Sequence, residues 1–124
     1  MTTLIASLGS GKGTWAELFK LMKAEDWDKI ILIANPFFSR SFQEKSEHNE
    51  KVLVLTVDYE KEKSKDIIEK LSQVFNKEVV GVEVALNMSS GTGEEHMLIL
   101  ASILKAGLGI RLVKYEDEGV TELL

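Results

Sequence analysis

The sequence predicts an α/β chain: a Rossmann-like, doubly wound sheet of about five parallel strands, with helices on both faces. Three observations predict it. Short apolar runs, such as Lys29 to Ala34, alternate with longer amphipathic segments. A continuous apolar run is the pattern of a strand buried on both faces, as in a parallel sheet covered by helices. Two of these runs lead through glycine- and hydroxyl-rich loops into helices. The 124 residues hold no linker, low-complexity stretch or repeat, which suits one domain, residues 1–124, around one core.

The elements follow in order. Thr3 to Ser7 reads as the first strand. Trp15 to Ala24 reads as a helix, because Trp15, Leu18, Phe19 and Met22 recur at helical spacing with Glu17, Lys20 and Lys23 between them. Thr14 is placed to cap it. Lys29 to Ala34 is the second strand, and Asn35-Pro36 stops it. Phe37 to Asn49 is polar apart from Phe37, Phe38 and Phe42, and reads as a loop with room for a short helix. Val52 to Val57 is the third strand. Glu60 to Asn76 is an amphipathic helix carrying Ile67, Ile68, Leu71, Val74 and Phe75. Val79 to Leu86 is valine-rich and reads as the fourth strand. Glu94 to Ala106 is a helix that Gly107 ends from the C′ position. Gly109 to Val113 is the fifth strand. Val120 to Leu123 adds a short edge strand after the acidic turn 116–119.

Composition narrows the function. Hydrophobic residues make up 44% and charged residues 28%, an ordinary globular balance. No run reaches the roughly 18 apolar residues of a membrane helix, so no membrane partner is expected. The start lacks a basic segment before a long apolar one, so no secretory signal is expected. With no cysteine, disulfides, thiolate zinc sites and cysteine nucleophiles are excluded, which fits a cytoplasmic location. A net charge of −5 argues against duplex nucleic acid as a partner, which calls for a basic face. A small anion is still open to the chain, since a few N–H groups and one lysine suffice to hold it. His48 and His96 do not have metal-ligand spacing, so no metal is expected.

Two loops carry the chemistry. Gly9-Ser10-Gly11-Lys12-Gly13-Thr14 follows the first strand, and Asn87-Met88-Ser89-Ser90-Gly91-Thr92-Gly93 follows the fourth. A strand that ends in such a loop and feeds a helix N-terminus builds an anion or nucleotide site from outward N–H groups. In a sheet of order 3-2-1-4-5, strands one and four are neighbours at the point where the order reverses, and ligands bind there. Each loop also has a plain reading. The first is a tight turn with Lys12 in solvent. The second is a helix cap by Ser90 or Thr92, with Glu94 and Glu95 favouring the positive helix end. His96, in the first turn, is either a ligand contact or a half-exposed bystander. Phe37 and Phe38 can stack a base, meet a second copy or pack under their loop. The first loop also invites a phosphate-loop reading, since Gly-Lys-Gly-Thr is similar to adenylate kinases. The pattern G-x-x-x-x-G-K-[ST] fails at Ala6 and Gly13, and a kinase would need magnesium.

At these two loops the chain resembles the CRISPR-associated Rossmann-fold (CARF) domains. Their fourth strand runs into a loop of the type Asp/Asn-hydrophobic-[Ser/Thr]-Gly/Ser-Gly-Thr-Lys, which Asn87-Met88-Ser89-Ser90-Gly91-Thr92 matches. The Gly/Ser loop from Leu8 to Thr14 fits as well, as does the Leu/Ala-rich helix that a glycine ends before an Ile/Val strand. The resemblance implies a homodimer that binds cyclic oligoadenylate, the second messenger of type III CRISPR defence, across its two-fold axis. Standalone members resemble ring nucleases, which cleave that ligand without metal or cofactor. In them the ribose 2′-OH attacks the adjacent phosphate, leaving a 2′,3′-cyclic phosphate. By this resemblance Lys12, Ser10 and Ser90 are the catalytic candidates. Gly9, Gly11, Gly13, Thr14, Asn87, Ser89, Gly91, Thr92 and His96 are the ligand-binding candidates. One departure stands out: Gly93 occupies the position of the motif's lysine, and Lys12 in the opposite loop is the candidate replacement. The alternatives are a non-catalytic sensor of the same ligand and a nucleotide kinase of the phosphate-loop type.

Overall fold

The structure, a computed structural model, describes residues 2–10, 14–45 and 50–124. Strand β1 (Thr3–Leu8) is buried along its whole length, and so takes the centre of the sheet. Helix α1 (Thr14–Ala24) and strand β2 (Lys29–Ala34) follow. Then come α2 (Pro36–Lys45), β3 (Val52–Thr56), α3 (Ser64–Glu78) and β4 (Glu83–Asn87). The chain closes with α4 (Gly93–Lys105), β5 (Gly109–Glu116) and β6 (Gly119–Glu122). The six strands form one sheet in the order β3-β2-β1-β4-β5-β6. The first five are parallel and β6 is antiparallel to β5. The arrangement fits a Rossmann-like α/β fold.

Alternate strand residues supply two cores. Leu4, Ala6, Leu8, Ile30 and Leu32 meet Leu18, Leu21 and Phe42 of α1 and α2 on one face. Ile5, Ile31, Ile33, Val84 and Leu86 meet Ile67, Leu71, Phe75, Ile99 and Ile103 of α3 and α4 on the other. The period of two along each strand produces this division, because successive side chains leave opposite faces.

Strand β5 runs three residues past the expected end at Val113, to Glu116, and three other elements differ from the sequence expectation at their starts. The expected loop from Phe37 begins with a ten-residue helix, α2. Asn35 caps it, its Oδ1 accepting the N–H of Phe38 at 2.8 Å, and Pro36 fills the first helical position, where a missing N–H costs nothing. Helix α3 starts at Ser64 rather than Glu60 because residues 58–62 close on themselves. The Glu62 carboxylate accepts the Asp58 N–H at 2.7 Å, and Asp58 Oδ1 accepts the N–H groups of Glu60 and Lys61. Strand β4 starts at Glu83 rather than Val79. Val79 ends α3, its N–H bonding to Phe75 O, and Gly81 turns the chain at φ +101°.

The C-terminal half has well-defined ends. Gly107, at φ +78°, sits at C′ of α4. Its N–H reaches Leu104 O, and the Leu108 N–H reaches Ile103 O, the two bonds of a Schellman cap. The β5–β6 hairpin turns on Asp117 and Glu118, both in the left-handed region, as a two-residue primed turn requires. Across it the Arg111 guanidinium grips both oxygens of Glu122 at 2.9 and 3.1 Å. Among the described residues no helix is long and apolar enough to cross a membrane.

Candidate functional site

Strands β1 and β4 are hydrogen-bonded neighbours, with Leu4 opposite Ala85 and Ala6 opposite Asn87. The loops that leave their carboxyl ends therefore meet. They are joined by Ser90, which is 1% exposed. Its hydroxyl accepts the N–H of Gly9 at 2.9 Å and the hydroxyl of Thr14 at 3.1 Å, and donates to Gly9 O at 3.2 Å. A hydroxyl has one donor and two acceptor sites, so all of its capacity is spent inside the fold. Trp15 Nε1 donates to the same Gly9 carbonyl at 2.8 Å. The Gly91 N–H points to Ser10 O at 3.4 Å.

The glycines allow this approach. A Cβ on Gly9 would stand 2.6 Å from Gly91 Cα. A Cβ on Gly91 would stand 2.4 Å from Ser7 Oγ and 2.7 Å from Glu95 Oε1, and its φ of +101° is itself one that side chains avoid. Ser7 lies fully buried under this contact, and its hydroxyl has no partner among the described residues.

The second loop is braced from below. Asn87, 3% exposed, donates from Nδ2 to Val113 O at 2.9 Å and to Ser89 Oγ at 3.1 Å, and its Oδ1 accepts the Ser89 N–H. Thr92 is the N-cap of α4. Its hydroxyl accepts the Glu95 N–H at 3.2 Å, and Glu95 Oε1 accepts the Thr92 N–H at 3.3 Å, a reciprocal capping box. Of the two caps the sequence allows, Thr92 is the one formed. His96 is half-buried, with Nε2 2.7 Å from Ser90 O.

The candidate residues thus divide. Gly9, Thr14, Asn87, Ser90, Gly91 and His96 are bonded or packed within the junction. Ser10, Ser89 and Thr92 are exposed on its surface. Gly11, Lys12, Gly13 and His48 lie outside the described residues. The Glu95 carboxylate sits on the helix end, where an incoming anion would otherwise find free N–H groups.

Beside the junction lies an open cleft of about 500 Å³. Three segments wall it: the start of α2 with Phe37 and Arg40, the turn after β3 with Asp58, Tyr59 and Glu60, and the first turn of α4 with Glu94 and Glu95. Four carboxylates face one guanidinium. Burial, and then the charges of Glu95 and Glu62, push the Tyr59 phenol well above its ordinary pKa, and its buried hydroxyl has no hydrogen-bond partner among the described residues. Phe37 is 63% exposed, while Phe38 packs edge-on against Trp15 in the α1–α2 core. Sequence reasoning passed over Arg40, Tyr59 and Glu60 as site residues. The signal was their position after strands two and three, whose carboxyl ends share the crevice edge. Among the described residues no cluster of acidic and histidine side chains could hold a metal ion. No protein-family model matches the chain, and no curated protein matches it significantly.

Proposed function

We propose that the chain binds cyclic oligoadenylate at the crevice above β1 and β4, as a CARF-like homodimer, and cleaves it without metal. The observation that carries this reading is the meeting of two glycine loops, from distant parts of the chain, where the strand order reverses. That is where open parallel sheets receive nucleotides. Exposed Ser10, Ser89 and Thr92 offer hydroxyls at the surface of the junction. On α4, Met97 and Leu104 share one exposed side, an uncharged surface for a second copy.

In the proposed reaction the ribose 2′-oxygen attacks the adjacent phosphorus and the 5′-oxygen leaves. The products are a 2′,3′-cyclic phosphate and a 5′-hydroxyl. The protein's part is to align the hydroxyl and to stabilise charge on the phosphate. Lys12 supplies that charge and Ser10 a hydrogen bond. Ser90 serves as the staple that holds both loops in register. A second reading, a sensor that binds without cleaving, is favoured by the same serine, since its hydroxyl has no capacity left for a substrate.

The test is incubation with cyclic tetra-adenylate and cyclic hexa-adenylate in excess EDTA, followed by chromatography and mass analysis. Linear products ending in cyclic phosphate are expected. Replacing Lys12 by Ala is expected to slow cleavage roughly a hundredfold; unchanged turnover removes Lys12 from the mechanism. Tight binding with no product leaves the sensor. Neither binding nor cleavage removes both readings.

A further inference from the structure

The Glu95 carboxylate lies where an anion would meet the start of α4. We propose that it is a gate: a phosphate seats there only after turning this side chain out, and the buried Ser7 hydroxyl then becomes one of its donors. The gate follows from the geometry of the junction. Only the source of the phosphate, a cyclic oligoadenylate, rests on the proposed function.

The space concerned is the bare face of Gly91. A Cβ there would clash with Ser7 Oγ, and would stand 2.7 Å from Glu95 Oε1 and 3.3 Å from His96 Nε2. The same carboxylate oxygen is 3.0 Å from the Cβ position of Gly9, so it lies against both glycine loops. It also accepts the Thr92 N–H. Aligned peptide dipoles favour a negative charge at this helix end. The N–H groups of Gly93 and Glu94 belong to the same first turn, where no carbonyl within the helix can receive them. The surroundings of an oxyanion are thus assembled, with the chain's own carboxylate among them.

Ser7 is the observation that points to a ligand. It is fully buried, and its hydroxyl has no partner among the described residues, which is a standing cost to the fold. Glu95 does not satisfy it, because its reach is set by its own backbone and its bond to Thr92. His96 does not either, because its Nε2 is bonded to Ser90 O at 2.7 Å. A free phosphate has no such tether, and one of its oxygens can settle between Gly91 and Ser7. The closed gate is also lightly held. Its bond to Thr92 is long at 3.3 Å, against a usual N–H···O distance of about 2.9 Å. The Glu95 side chain is half-buried and forms no ion pair among the described residues. Opening spares the helix cap, since the bond from the Glu95 N–H to Thr92 Oγ1 does not use the carboxylate.

Inorganic phosphate is the probe, titrated into the full chain at constant ionic strength while ¹H–¹⁵N NMR follows the amides of Gly9, Gly91, Thr92 and Gly93. Glu95→Gln removes the charge and keeps the side-chain oxygen that a capping box uses, and its spectrum reports that the fold is kept. It is expected to bind phosphate at least about tenfold more tightly than the wild type, because like charges at such separations repel strongly. Glu94→Gln removes the neighbouring charge from the same helix end, and is expected to gain less than about threefold. Ser7→Ala, added to Glu95→Gln, is expected to give back most of the gain. No gain in Glu95→Gln overturns the proposal. An equal gain in Glu94→Gln, or a gain that Ser7→Ala leaves untouched, does the same. Cyclic tetra-adenylate titrated in parallel separates the two claims. A phosphate gain with no binding of the cyclic ligand removes the proposed function and keeps the gate. Cyclic ligand bound equally by the wild type and Glu95→Gln, with no phosphate gain, does the reverse.

Discussion

The loop junction and the cleft lie at the same end of the sheet, yet they use their polar groups in opposite ways. At the junction almost every group is spent on the fold. Ser90 makes three hydrogen bonds, Asn87 three and Thr92 two with its cap partner. In the cleft, Glu60, Glu94 and Arg40 stand without ion pairs among the described residues, and Phe37 faces water. Buried polar groups that are fully satisfied rigidify a structure, and unsatisfied ones carry a standing cost. Among the described residues, Gly9, Ser90 and Gly91 of the pattern that draws attention in the sequence therefore brace two halves of the sheet. The groups free to meet a ligand sit around that brace.

The sharpest way to break the comparison is to force the loops apart. Gly91→Ala meets two penalties at once. It puts a side chain at φ +101°, and it drives a methyl to 2.4 Å from Ser7 Oγ. Left-handed strain and overpacking together are expected to cost about 3 kcal/mol, read as a lower urea midpoint. Gly93→Ala is the control, since its Cβ would meet nothing within 4 Å and its φ is not positive. Equal stability of the two variants would show that the junction is not tightly closed.

Ser90→Ala removes the staple without adding bulk. The Gly9 N–H, buried with it, loses this partner, and Thr14 loses an acceptor. A cost of about 2 kcal/mol is expected, from one buried donor left unpaired and the other bonds lost. Hydrogen exchange at the Gly9 amide should accelerate more than at the β1 interior. An unchanged midpoint would mean that the two loops hold together by glycine packing alone.

Much of the fold was legible in the sequence, and particular residues show why the rest was not. β1, β2 and β3 were readable because a strand between two helical layers needs apolar side chains on both faces, as Ile30 to Ala34 has. The order 3-2-1-4-5, taken as the usual one for a doubly wound sheet, is the order of the first five strands, and it put the two unusual loops on one crevice. α2 was legible only as room for a short helix, because it packs through little more than Phe38 and Phe42, with Ser39 bonded to Thr56 at 2.8 Å; its polar remainder read as loop. The signal was present in Asn35-Pro36, a cap followed by a first-turn proline. The start of β4 was misread because Val79, Val80 and Val82 are apolar, although Val80 and Val82 are exposed. In the site, the closeness of two glycine loops could be inferred, but the role of Ser90 could not. A serine in a loop looks the same in sequence whether its hydroxyl faces water or a backbone amide from 81 residues away.

The smallest effects set the two unpartnered hydroxyls against each other. Ser7 lies under the junction and Tyr59 in the cleft wall, and neither buried hydroxyl has a hydrogen-bond partner among the described residues. Ser7→Ala removes a buried, unpaired group from the brace and is expected to stabilise the chain by up to about 1 kcal/mol. Tyr59→Phe should act mainly at high pH. Burial first, and then Glu95 and Glu62, raise the phenol pKa above its unfolded value near 10. Above that pH the unfolded chain loses its phenolic proton while the folded chain keeps it, so the native state is penalised as pH rises. Below it the group contributes no pH dependence. The wild type should therefore lose stability in urea between about pH 10 and pH 11 more steeply than Tyr59→Phe. Ser7→Ala should run parallel to the wild type throughout. If the Tyr59→Phe curve also runs parallel, the phenol is solvated, and the cleft is wider at that wall than the structure has it.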